Sequence, residues 1–323
     1  MIAKKMASTR DSYGRTLLEL GKKNKNIVVL DSDLSFSTRT QWFGKAFPDR
    51  FFNCGVAEQN MITMAAGFAT CGKIVFASTF AVFGTERVYN QIKQSIAYTG
   101  LNVKIVVSHS GITVGEDGAS HHMPFDIAIM RVLPNMKVIS PADAVETEMA
   151  VKAIVDYFGP VYMRLSRPST PVVFEEGYIY DKKKLNFKID QAIPLREGKD
   201  VTIFATGMMV SKALEAAEKL VSEDIEVGVI NVHTIKPLDK DTILQYVKNT
   251  KAVVTAEEHS IIGGLGGAIS ELVGCNFPAP IEMVGINDVF TLSGSPEALI
   301  KKYGLTSDDI LVAVKKVLER KSQ

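Results

Sequence analysis

The sequence is poor in the features that mark several large protein classes. Its 323 residues hold three cysteines, Cys54, Cys71 and Cys275, with no metal or redox spacing. An odd, scattered set argues against a disulfide framework, and each thiol reads as a small buried apolar residue. Excess charge of one sign is also missing: 37 basic and 36 acidic residues, mixed along the chain, leave a net charge of +1. With no long basic run, nothing favours nucleic acid or an anionic membrane as a partner. No apolar run reaches membrane-spanning length, and Met1-Ile2-Ala3-Lys4-Lys5 is not followed by a signal-peptide core, so the chain reads as cytoplasmic. The Gly-x-Ser-x-Gly elbow of serine hydrolases is absent, as are the Walker pattern, internal repeats and low-complexity segments.

What is present is an α/β alternation. A hydrophobic content of 46% with 23% charged residues suits a soluble globular enzyme or subunit, and the length suits two domains. Ser8-Thr9-Arg10-Asp11 reads as a helix cap. Apolar runs at Ile27 to Leu30, Lys73 to Phe76, Val103 to Val107, Met136 to Ile139 and Val161 to Leu165 read as strands with helices between them. From Pro168 to about Lys199 the pattern breaks into a linker with one or two irregular strands. A second unit follows, with strands expected at 201–205, 225–232, 252–256 and 281–284. Such alternation predicts parallel sheets covered on both faces, with polar site residues gathered just past the strand ends.

Four constellations could carry chemistry. Glu58, in Gly55-Val56-Ala57-Glu58-Gln59-Asn60-Met61, heads a helix of small residues behind Phe51 and Phe52. A carboxylate desolvated in so apolar a setting is costly, and burial raises such a group's pKa, which suits proton sharing with a ring nitrogen. Its bland alternative is a first-turn acid favoured by the helix dipole. Phe80 and Phe83 stand three apart just past a strand, where they could stack on a planar heterocycle or simply fill core. His109 and the loop Gly115-Glu116-Asp117-Gly118-Ala119-Ser120-His121-His122 suit polar substrate recognition and proton transfer. Adjacent histidines in a loop lack the helical spacing of zinc motifs. Arg10, Arg167 and Ser37 each lie near an element end, and Arg forks suit phosphate oxygens. Gly263-Gly264-Leu265-Gly266-Gly267 invites a dinucleotide reading, but the register needs glycine at Ile269, so close helix–strand packing is expected instead.

Gly55-Val56-Ala57-Glu58-Gln59-Asn60-Met61, Ser78-Thr79-Phe80 with Phe83, Gly115-Glu116-Asp117-Gly118-Ala119-Ser120-His121 and Arg131-Val132-Leu133-Pro134-Asn135-Met136, in that order, resemble the C-terminal half of transketolase and, more broadly, the 1-deoxyxylulose-5-phosphate synthases. The resemblance implies two three-layer α/β domains: a pyrimidine-binding domain over 1–170, a linker over 171–198, and a transketolase C-terminal domain over 199–323 that includes Leu292-Ser293-Gly294-Ser295. It implies thiamine diphosphate as cofactor, with Glu58 on the aminopyrimidine ring nitrogen and Phe80 and Phe83 stacked on the ring. Leu34, in Asp33-Leu34, would wedge the cofactor into its bent shape. Asp117 and His121 would contact the sugar hydroxyls, His121 near the reacting end, while His109, Arg10, Ser37 and Arg167 would hold the sugar phosphate. Glu86 and His122 depart from the family pattern, which often has an aromatic and a Gln at these places.

The resemblance also lacks a part. The family's Gly-Asp-Gly, followed later by Asn, holds the divalent metal and the diphosphate, and Gly-Asp-Gly occurs nowhere here. The expectation is therefore a split enzyme: a partner N-terminal subunit would bring the ligands for Mg2+ or Ca2+, this chain would supply none, and two copies of each chain would assemble. The expected reaction moves a two-carbon ketol unit from a ketose phosphate to an aldose phosphate. The rival readings are a deoxyxylulose-phosphate synthase-like or 2-oxoacid dehydrogenase β-type subunit, and a non-catalytic regulatory subunit that kept the fold.

Overall fold

Ile27–Asp31 is apolar until its last position, and every one of its five residues is buried. Such a run sits where both faces of a sheet are covered. In the computed structural model, which describes residues 5–322, it is an inner strand of a seven-stranded sheet. Met1 to Lys4, part of the stretch read for a signal peptide, and Gln323 lie outside the described residues. The strand order is Thr234–Lys236, Lys137–Ile139, Val161–Arg164, Val103–Ser108, Ile74–Phe80, Ile27–Asp31, Phe51–Asn53. Neighbours run parallel except Thr234–Lys236, which pairs antiparallel with Lys137–Ile139. The second sheet has five strands in the order Ile193–Arg196, Val227–Asn231, Val201–Ala205, Val253–Ser260, Ile281–Ile286, with the first antiparallel to its neighbour. Among the described residues no helix is long and apolar enough to cross a membrane.

One sequence expectation is filled in and another changes. An irregular strand expected in the linker stretch joins the second sheet as its edge, because Ile193 and Leu195 point into the second core while Pro194 faces out. Proline is tolerated there since an edge strand has one unpaired side. Cys71 and Cys275 are exposed and Cys54 is half-buried, not small core residues. Cys71 caps the helix Glu58–Thr70 where it meets solvent, and Cys275 lies in the last turn of Leu265–Asn276.

The two sheets share a core. Leu30, Met61 and Val138 of the first unit lie in one apolar cluster with Phe204, Ile230 and Leu265 of the second. Polar ties cross the same boundary. The Ile112 and Thr113 N–H groups both donate to Glu258 Oε1 at 2.8 Å, and Arg164 Nη2 donates to the Glu258 carbonyl.

Glu146 ties a third contact. Its Oε1 accepts from the Tyr178 hydroxyl and from Asn231 Nδ2, and its Oε2 accepts from the Ala142 N–H. Burial pushes its carboxyl up from 4.5 to about 8 despite those donors. Between these values the folded chain holds a proton that the unfolded chain has released. Stability therefore falls as pH rises through that window and levels off above it. Glu146→Gln cannot ionise, so native stability measured by urea denaturation should lose a few kcal/mol relative to the variant from pH 5 to 8. A difference independent of pH would show that this acid titrates normally.

Candidate active site

From Ile27–Asp31 the chain runs out to the edge strand Phe51–Asn53 and returns to Ile74–Phe80 on the other side. That reversal opens a crevice past the carboxyl ends of the strands. Two non-glycine residues take left-handed backbone there, Asp33 with φ 62° and His109 with φ 61°, each just past a strand. Buried Asp31 holds the first turn in place: its carboxylate accepts from the Leu34 N–H at 2.7 Å and from the Thr38 and Thr40 hydroxyls. Leu34 is thereby set half-buried against the core, while exposed Asp33 exchanges hydrogen bonds with Asn53.

Glu58 opens the helix Glu58–Thr70 and is 3% exposed. Its polar contact is Arg87, whose Nη1 lies 3.5 Å from Oε2 and whose side chain is half in solvent. The same guanidinium sits over the Phe83 ring, 4.8 Å from its centroid. Phe83 stacks on Phe80, and Phe80 in turn lies 3.7 Å from the His109 ring, nearly parallel to it. His121 meets Phe83 edge-on at 5.5 Å. One continuous strip of acid, cation and rings thus lines the crevice. Phe80 is the buried floor, because it ends a strand whose side chains face the core; Phe83, one turn on, is half exposed.

The basic residues gather beside it. Arg10 donates from Nη1 to the Ser37 carbonyl at 2.9 Å and from Nη2 to the Arg167 carbonyl at 2.8 Å. Ser37 joins the cluster here through its carbonyl, not its hydroxyl. Burial and the nearby Arg39 lower Arg10 to about 10. Burial first, then Arg10 and Arg167, push His109 down to about 3, so its ring is neutral. Arg39 is balanced by Asp11 at 2.6 Å, whereas Arg167 reaches the Val114 carbonyl and, at 3.4 Å, Glu116. Cations that meet mostly carbonyls leave a local positive field, suited to an anionic group.

The loop from Gly111 to His122 closes one side. Asp117 is exposed on it, and His121 is half-buried beside Ser120. His122 is buried, with Nδ1 at 2.6 Å from the Thr291 hydroxyl and Nε2 at 3.0 Å from the Gly115 carbonyl. Glu86, where an aromatic residue was expected from the resemblance, lines a small cavity with Ser120, His122, Phe290 and Thr291. Partial burial pushes its carboxyl up.

The glycine-rich turn is no anion seat, since the chain's own Glu257 fills it. Its two oxygens accept from the Leu265 and Gly266 N–H groups at 2.7 Å. A Cβ on Gly264 would fall 2.1 Å from Glu257 Oε2, and one on Gly266 would press on Thr255 and Met283. Among the described residues no group of three His, Cys, Asp or Glu side chains is placed to hold a metal. Sequence reasoning passed over Arg87, Arg39, Glu258 and Thr291. Glu257-Glu258-His259, a polar run ending the apolar strand Val253–Ser260, was the one available signal.

Comparison with known proteins identifies the family of the two units. The transketolase pyrimidine-binding domain family matches residues 5–172 and the transketolase C-terminal domain family matches residues 190–310. The chain is 50% identical over 311 residues to a protein of Methanocaldococcus jannaschii named as a transketolase C-terminal section, covering 96% of this chain and 95% of that one. It is 44% identical to a 6-deoxy-6-sulfo-D-fructose transketolase subunit of Clostridium sp. (strain MSTE9), covering 97% and 95%. A solved split-gene transketolase, described as an inactive beta4 tetramer, superposes with a TM-score of 0.89 at 50% identity, covering 97% of this chain and 99% of that chain. The chain belongs to the transketolase family, as the C-terminal subunit of a transketolase divided between two chains.

Proposed function

We propose that this chain, with an N-terminal partner subunit, transfers a two-carbon ketol unit between sugar phosphates using thiamine diphosphate. The observation that carries the reading is Glu58: a buried carboxylate whose polar partner is a half-exposed Arg87 at 3.5 Å, beside the face of Phe83. An acid so placed retains acceptor capacity for a ring nitrogen, and the neighbouring ring offers a stacking surface, so these residues fit an aminopyrimidine. When bound, thiamine diphosphate supplies the carbon nucleophile and electron sink for cleaving a bond next to a carbonyl.

The chain's own residues would do the rest. Glu58 would hold a proton at the pyrimidine nitrogen, with Phe80, Phe83 and Leu34 packed against the cofactor and Asp33 beside them at the strand end. Asp117 and His121 orient the sugar hydroxyls, His121 exchanging a proton at the reacting oxygen. Arg10 and Arg167 take the anionic end of the sugar, with neutral His109 donating one N–H and Ser37 lining the same pocket. A relative named for a sulfo-sugar fits the same cluster, because sulfonate and phosphate share oxyanion chemistry. Mg2+ or Ca2+ and its ligands would come with the partner subunit, in an assembly with two copies of each chain.

The test is reconstitution. Mixed with a partner carrying Gly-Asp-Gly…Asn, this chain should convert xylulose 5-phosphate and ribose 5-phosphate to sedoheptulose 7-phosphate, and alone it should form none. Turnover of pyruvate by the mixture would move the assignment to a 2-oxoacid reaction.

A further inference from the structure

His122 has both ring nitrogens engaged by groups of its own chain. A carbonyl can only accept, so Nε2 carries the proton donated to the Gly115 oxygen, and Nδ1 accepts from the Thr291 hydroxyl. Both His122 and Thr291 are buried, and 169 positions of sequence separate them. Thr291 lies in a stretch without regular structure, between Ile281–Ile286 and the helix Pro296–Lys302 of the second unit. The loop packs tightly on that stretch. Gly118, with φ 75°, would place a Cβ 2.3 Å from Ser293 Oγ, and Gly115, with φ 89°, would place one 3.3 Å from Pro296 Cδ. The start of the loop is held by the second unit too, through Glu258 on the Ile112 and Thr113 N–H groups. Between these two anchors stand Asp117 and His121.

We infer that His122 is a positioning residue: with Thr291 it lets the C-terminal unit hold the Gly111–His122 loop where Asp117 and His121 meet the sugar. This rests on the proposed function for the identity of the substrate, but not for the anchoring itself. It gives the second unit, which contributes none of the proposed site residues, a part in substrate binding. His121 immediately precedes the anchored residue, and the N–H groups of both donate to the Gly118 carbonyl. Freeing the His122 ring therefore frees the His121 backbone.

Two readouts test it on the full chain and on its complex with the partner subunit. Thr291→Val and His122→Phe should each raise amide hydrogen exchange at residues 115–122 about tenfold, as loss of one or two buried hydrogen bonds implies. In the complex they should raise KM for the ketose donor about tenfold, with kcat changed less than about threefold. His122→Gln, which keeps one donor and one acceptor, should restore both. Should His122→Phe fail to fold, Thr291→Val decides alone. Unchanged exchange in the loop overturns the proposal, as does raised exchange with unchanged KM. If the native complex shows no ketol transfer, the proposed function fails, and the exchange measurement still decides whether the anchor exists.

Discussion

Replacing Glu58 by alanine is expected to lower kcat/KM of the assembled enzyme at least about 100-fold, the scale of a lost acid–base group, while leaving the subunit folded. The two effects separate because of how Glu58 is held. Among the described residues its side chain makes no hydrogen bond to the backbone, and its partner Arg87 is half exposed, so water can take over the guanidinium when the carboxylate is gone. Alanine is also a good helix former at the head of Glu58–Thr70. Paired measurements of steady-state kinetics and thermal unfolding check the expectation. Activity within a few-fold of native would favour a non-catalytic subunit over the enzyme proposed here.

The opposite pattern, a loss of stability, is expected at Arg164. This guanidinium is 4% exposed and lies 2.8 Å from Asp126, which is fully buried and also receives the Tyr162 hydroxyl at 2.7 Å. Arg164→Met would leave that carboxylate without its counter-ion in the core, at a cost of about 3–5 kcal/mol. The variant also loses the bond to the Glu258 carbonyl, so the boundary between the two units loosens with it. Urea denaturation should show the drop, and the double variant Arg164→Met with Asp126→Leu should recover part of it, because the unpaired charge of Asp126 is then gone, although buried Glu257 and Glu258 still lack the nearby cation. Recovery stays partial, since the Tyr162 hydroxyl loses its acceptor. A single variant within about 1 kcal/mol of native would show that the pair is solvated.

Much of the first sheet was legible before any coordinates. Ile27–Asp31 is apolar up to its last residue and Val103–Ser108 is apolar apart from Lys104 and its last residue, the pattern of strands in a doubly covered parallel sheet. The edges were not. Thr234–Lys236 leaves the second unit to pair with Lys137–Ile139, and three residues of ordinary polarity carry no signal of that partner. Ile193–Arg196 was legible only as an irregular strand in the linker, since its proline obscures its place at the edge of the second sheet. Within the crevice, Glu58, Phe80, Phe83 and His109 announced themselves by residue type and by position past strand ends. Arg87 did not, because an arginine in a polar turn looks the same whether it faces water or a buried acid.

Residue order alone determined the α/β class, the cluster of groups past the strand ends, and, through four motifs in sequence, the family. Those rest on local rules: side-chain period, turn residues, and the chemistry each type can perform. Which groups touch was decided by tertiary structure. Glu257 fills the glycine-rich turn, Arg87 faces Glu58, and His122 reaches Thr291 across 169 positions, pairings that no spacing along the chain encodes. The reason is that burial makes polar partners obligatory without naming them, and the partner is whichever side chain the packed sheets bring within reach.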